Sequence, residues 1–212
     1  MERLVRSVAS LRRTGVGALV ASRMEEFRSK GRQSENEIFK ELCFCLLTAN
    51  YSAEGGMRIQ KVVGDGFITL PERPLASRLK SCGHRFPNAR ARYIVEARKQ
   101  REGLKEALSS AKTAGVDSAR EWLANNILGL GYKEASHFLR NIGHGDFAII
   151  DFHIIDLLAR HRIIHKPKGK SLDKKRYLEI ERKLGRLAAR CGMCQGELDL
   201  YLWYLETGKI LK

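Results

Sequence analysis

ILGLGYKEASHFLRNIGHGDFAIIDFH, residues 127–153, is the stretch from which the rest of the chain can be read. Gly129 and Gly131, one residue apart between two helical patterns, allow a tight turn with positive φ and a close approach by another backbone. Beyond the turn, Ala135, Phe138, Leu139 and Ile142 fall at i, i+3, i+4 and i+7. They form the apolar face of a second helix and put Lys133, Ser136, His137 and Arg140 on its other face. Lys133 thus stands in the first turn, beside amides that lack partners within the helix and can hold a phosphate. Asp151 precedes the apolar run FHIIDLLARH, where an aspartate serves as an N-cap.

Apolar residues recur at helical spacing on both sides of this stretch, and only four prolines interrupt them. The chain reads as all-α. Ser34 and Glu37 form a capping box for a helix whose Ile38, Leu42, Cys45, Leu46 and Ala49 point inward. Phe39 and Cys43 extend the apolar surface to another face, which makes that helix central. Ser118 and Glu121 repeat the box ahead of EWLANNIL, a helix that Gly129 would end. A basic helix spans Asp173 to Arg190, and Leu198, Tyr201, Leu202 and Leu205 line a last one that stops at Gly208. Between Arg160 and Lys175, Pro167, Gly169 and several lysines describe an exposed loop, or one that faces nucleic acid.

The 212 residues carry 39 Lys and Arg against 24 Asp and Glu, a net charge of +15 that points to a polyanionic partner. No apolar run approaches the ~20 residues that span a bilayer, and the basic opening MERLVRSVASLRR lacks the apolar stretch of a secretory signal. Both observations point to an intracellular protein without a membrane partner. Cys43, Cys45, Cys82, Cys191 and Cys194 are odd in number and scattered, a poor disulfide framework.

Helix, glycine turn and helix in this form resemble the helix-hairpin-helix DNA-binding motif. The order G-x-G-x-K, with Asp151 eighteen positions after Lys133 and His153 two further on, is similar to the catalytic signature of the endonuclease III superfamily of DNA glycosylases. Within it, SENEIFKELCFCLLTANYSAEGG, GDGFITLP, GHRF, LGYKEASHFLRN, AIIDFHI and LDLYLWYLETGKILK make residues 34–212 look like an archaeal-type, second-class 8-oxoguanine DNA glycosylase with lyase activity. The resemblance implies a two-lobed helical fold with the active site between lobes. One lobe would comprise 34–143 with the hairpin, and the other 1–33 plus 144–212. It implies a monomer that excises 8-oxoguanine from double-stranded DNA and cleaves the abasic strand by β-elimination.

Lys133 is then the nucleophile. An amine attacks only when neutral, and the positive end of a helix dipole disfavours a second positive charge. Spacing alone fits a solvated face lysine equally well. Asp151 would stabilise charge developing on the sugar while also serving as a cap. Flipping a base out of the stack leaves a hole to be filled. Asn50 is the expected plug, with Tyr51 and Ser52 beside it, although Asn50 also suits a helix C-cap. Phe86 and Trp203 would sandwich the flipped purine, Trp203 being equally suited to a core. The main-chain carboxylate of Lys212 would meet the N–H edge of guanine. C-x-x-C at Cys191 and Cys194 supplies two of the four ligands that an iron–sulfur cluster needs, so neither cluster nor other metal nor cofactor is expected. The competing readings are a non-catalytic helix-hairpin-helix binding module and a glycosylase for a different damaged base.

Overall fold

The computed structural model describes residues 1–113, 115–167, 169 and 172–212. Among the described residues every regular element is helical. The α-helices are α1 (Glu2–Arg12), α2 (Gly15–Gly31), α3 (Glu35–Thr48), α4 (Ala53–Val63), α5 (Gly66–Thr69), α6 (Glu72–Ser81) and α7 (Pro87–Ala97). After a 3-10 turn at Arg98–Gln100 come α8 (Leu104–Thr113), α9 (Val116–Asn126), α10 (Tyr132–Asn141), α11 (Phe152–Arg160), α12 (Lys174–Cys191) and α13 (Gln195–Thr207). The chain divides into two compact units, Lys30–Phe138 and Met1–Ser29 with Leu139–Lys212.

In the unit Lys30–Phe138, α3 is the centre. Ser34 Oγ accepts the N–H of Glu37 at 3.4 Å and opens the helix, one half of the expected capping box. The Glu37 carboxylate pairs with Lys30 and Lys40 rather than with the Ser34 N–H. Of the eleven residues Ile38 to Thr48, all but Lys40 are buried, so α3 is enclosed nearly all round and packs against α4, α5, α7 and α8. Each fully buried Leu, Ile or Phe contributes about 1.5–3 kcal/mol of transfer free energy. The second capping box does not form. Gly115, with φ +136°, is the N-cap of α9, and its carbonyl takes the N–H of Ser118 at 3.1 Å, which places Ser118 inside the first turn. A glycine three residues upstream supplied the turn first. The same helix stops at Asn126, with Ile127 as C-cap, before Gly129 is reached.

In the other unit, α1, α12 and α13 pack on one another and α11 packs on α13. Asp173 caps α12 by accepting the N–H of Arg176 at 2.7 Å, and Gly208, left-handed at φ +70°, closes α13. Leu198, Tyr201 and Leu202 are buried, and Leu205 partly so. His165, Lys166 and Gly169 of the expected loop are exposed, while Lys168, Lys170 and Ser171 lie outside the described residues.

The polar face expected for α10 is the main departure. Ser136, His137 and Arg140 are buried. Ser136 Oγ accepts from Arg120 at 3.2 Å, and His137 meets the Phe44 ring edge-on at 5.5 Å. Arg140 donates to Asp199 at 2.6 Å and to Asn141, with its guanidinium 4.9 Å from the Phe27 ring centre. Buried charges persist only when paired in this way. Among the described residues there is no metal-binding cluster of His, Cys, Asp and Glu, all five cysteines are free, and no helix is long and apolar enough to cross a membrane.

Candidate active site

The hairpin of α9, the 127–131 turn and α10 is held from within. Gly129 has φ +83°, and a Cβ there would lie 2.3 Å from the ring of Tyr93, so this position demands glycine on two counts. Gly131 departs from the sequence reading, since its φ is not positive. Its carbonyl accepts the N–H of Ala135 at 2.9 Å and begins α10. Arg120, fully buried, binds Asp117 and Ser136 and lies 5.0 Å from the Tyr132 ring centre, tying α9 to the first turns of α10. Lys133 is the second residue of α10, its side chain 28% exposed, with Nζ 3.2 Å from a Glu134 carboxylate oxygen.

Asn50 follows α3 in the left-handed region, φ +59°, and is exposed. The C-cap of α3 is the extended Ala49 and not Asn50, which forms a corner of the turn that the Tyr51 N–H closes on the Thr48 carbonyl at 3.2 Å. Tyr51 instead turns back onto the protein. Its hydroxyl donates to the Gly83 carbonyl at 3.1 Å and its ring lies 4.4 Å from that of His84. Ser52 caps α4 by accepting the N–H of Gly55 at 3.1 Å. Phe86, 40% exposed, precedes α7, and its N–H donates to Nδ1 of His84 at 3.0 Å. With Nδ1 an acceptor, the tautomer carries its proton on Nε2, which donates to the Leu47 carbonyl at 3.0 Å. Arg90 bonds the Ala49 carbonyl at 2.5 Å. Both carbonyls at the end of α3 are thus held by side chains of the 84–90 region. Burial lowers the pKa of His84 and keeps this neutral form.

In the other unit, Asp151 caps α11, its Oδ1 accepting the N–H of Ile154 at 3.0 Å. The buried, non-helical segment 147–150 before it is strapped to α12. Glu181 accepts the N–H of Ala148 at 3.1 Å, and the Tyr177 hydroxyl donates to the Ala148 carbonyl at 2.7 Å and accepts the N–H of Ile150 at 3.4 Å. Trp203 is partly buried, with His153 edge-on at 4.9 Å. Its indole N–H is buried without a hydrogen-bond partner among the described residues. Lys212 is partly buried.

Sequence reasoning missed Arg120, His84, Arg90 and the Tyr177–Glu181 strap, whose partners lie 16 to 41 residues away along the chain. It also missed Phe152, 67% exposed, its ring centre 4.0 Å from that of His153 and tilted by 35°, which its place next to Asp151 would have marked.

A family model described as 8-oxoguanine DNA glycosylase matches residues 20–193. The chain belongs to this 8-oxoguanine DNA glycosylase family. A Korarchaeum cryptofilum relative named 8-oxoguanine DNA glycosylase/AP lyase is 52% identical over 209 residues, covering 99% of this chain and 98% of that protein. The crystal structure of the Methanocaldococcus jannaschii 8-oxoguanine glycosylase/lyase, in complex with a 15mer DNA containing 8-oxoguanine, matches with TM-score 0.92 and 46% identity over 99% of this chain and 100% of that one. The Thermotoga maritima 8-oxoguanine DNA glycosylase matches with TM-score 0.90 and 45% identity over 100% and 99%. This family member therefore shares the helix-hairpin-helix glycosylase fold over its length, and it is an enzyme of the glycosylase and lyase type.

Proposed function

We propose that this 8-oxoguanine DNA glycosylase works as a monomer inside the cell, on double-stranded DNA, through a lysine Schiff base. Lys133, as the neutral amine, attacks C1′ of the damaged nucleotide, and the glycosidic electron pair leaves with the base, which takes up a proton. The resulting C1′–N bond becomes an imine once the sugar ring opens. Loss of the C2′ proton then breaks the C3′–O3′ bond, and water releases the lysine by hydrolysing the imine. Asp151 stabilises positive charge on the sugar and takes part in the proton transfers.

The placement of Lys133 in the first turn of a hairpin helix, in a chain alike over its length to proteins named glycosylase/AP lyase, carries this reading. Gly129 and Gly131 shape the turn that presents hairpin amides to a strand phosphate. Asn50 fills the vacated stack, with Tyr51 and Ser52 shaping its loop. Phe86 and Trp203 sandwich the base, and Lys212 reads its edge.

Borohydride reduction tests the scheme. The protein incubated with an 8-oxoguanine duplex and borohydride should give a covalent adduct, and Lys133→Gln should give none while still binding the duplex. An adduct on the variant would remove Lys133 as the nucleophile, and no base release by the unaltered protein would overturn the function.

A further inference from the structure

Within the unit Met1–Ser29 and Leu139–Lys212, a cavity of about 490 Å³ opens where the start of α1, the end of α11 and the last turn of α13 meet. Its wall carries the Met1 α-ammonium, Arg3, Arg160, His161 and Arg162, with Glu206 as its one carboxylate. Glu206 already accepts a hydrogen bond from Arg160. Arg3 and Arg162 have no carboxylate partner among the described residues. Three guanidiniums and the Met1 α-ammonium against one carboxylate leave three uncompensated positive charges around the cavity. Burial, and after it the charge of Arg3, holds His161 below its ordinary pKa, so its ring presents one donor and one acceptor at neutral pH.

Two of these arginines stand where local structure disfavours them. Arg162 has φ +53° and closes α11, with its N–H on the Ala159 carbonyl at 2.9 Å and that of Ile163 on the Leu158 carbonyl at 2.9 Å. Glycine takes this left-handed closing position without strain, and arginine does not. Arg3 lies in the first turn of α1, at the positive end of its dipole. Neutralising the carbonyl ends of α11 and α13 would require neither placement. A phosphate group, with charge of about −1.5 to −2 as a monoester, offsets most of the excess, and arginine forks suit its oxygens.

We propose that this cavity binds one phosphate group, held by Arg3, Arg160 and Arg162. The occupant is either a phosphate of the DNA strand or a free phosphomonoester. Arg160 lies nine residues beyond Asp151, about 14 Å along α11 at helical rise. A strand phosphate here would therefore belong to a nucleotide away from the reacting sugar. That alternative rests on the function proposed above, and the free phosphate does not.

Thermal melting in inorganic phosphate, against chloride at equal ionic strength, tests the site with Arg162→Gly and Arg3→Ala beside the unaltered protein. Phosphate should raise Tm of the unaltered protein by a few degrees, and both variants should lose that shift. Arg162→Gly should melt no lower than the unaltered protein without phosphate, because it relieves the backbone. Duplex titrations then distinguish the sources. A strand phosphate predicts several-fold weaker duplex binding by both variants and a salt slope shallower by about one. A free phosphomonoester predicts the lost thermal shift with duplex binding unchanged. The proposal is overturned if the variants keep the full phosphate shift, or if the unaltered protein shows none and the variants bind duplex normally. Excision of 8-oxoguanine by the unaltered protein is scored separately, so its failure would tell against the functional reading and not against the phosphate site.

Discussion

The imidazole of His84 accepts the backbone N–H of Phe86 on one nitrogen and donates to the Leu47 carbonyl with the other, joining the segment before α7 to the end of α3. His84→Ala leaves the buried Leu47 carbonyl without this partner, at about 1–3 kcal/mol, and frees the part-buried Phe86 N–H, which water can reach at smaller cost. We expect a clear fall in Tm and slower excision of 8-oxoguanine, because Phe86 loses its anchor. Unchanged excision kinetics would separate Phe86 placement from His84.

His84 also gives a pH dependence. Its folded pKa lies below the ordinary value, so between about 6.5 and that lower value the unfolded chain takes up a proton that the native state refuses. This contribution is complete above about 6.5 and is lost as pH falls. Melting curves from pH 4 to 8 should show a smaller acid loss for His84→Ala than for the unaltered protein.

Asp199 acts with the opposite sign. Burial pushes its carboxyl up to about 7 from 3.8, against the pull of Arg140, and Asp151 adds to the rise. Between those two values the native state holds a proton that the unfolded chain has released, so this contribution to stability grows as pH falls from about 7 to about 4. Asp199→Asn keeps an acceptor for Arg140 and removes the titration. Its Tm profile, subtracted from that of the unaltered protein, should slope through this window; a flat difference would refute the raised value.

Asp151→Asn retains an oxygen able to cap α11, since Asn and Asp cap about equally well. Tm should change little, whereas turnover should fall steeply with loss of the carboxylate charge. A large melting loss with near-normal turnover would leave Asp151 as a cap alone.

Gly129→Ala adds a Cβ at φ +83°, against the Tyr93 ring. We expect destabilisation of about 1–3 kcal/mol and weaker duplex binding through a distorted hairpin. In a Tyr93→Ala background the same substitution should cost less, because only the backbone strain remains. Equal costs in both backgrounds would show that the ring contact is immaterial.

Local chemistry was legible in the sequence. Ser34, Asp151 and Asp173 each cap a helix through an N–H three residues ahead, and Gly208 ends α13 through its own φ, so a few consecutive residues determine each boundary. The central α3 and the position of Lys133 in the first turn of α10 followed from periodicity alone. Ser118 shows where such reasoning fails, because Gly115 offered an earlier start to the same helix. Tertiary structure decided the fate of the buried polar groups. Arg120, Ser136, His137 and Arg140 carry every sign of a solvated surface, yet they are buried, and Arg140 meets Asp199 from 59 positions away. A charge enters a core only when a partner is already waiting there, and that partner is supplied by folding rather than by neighbours in the chain.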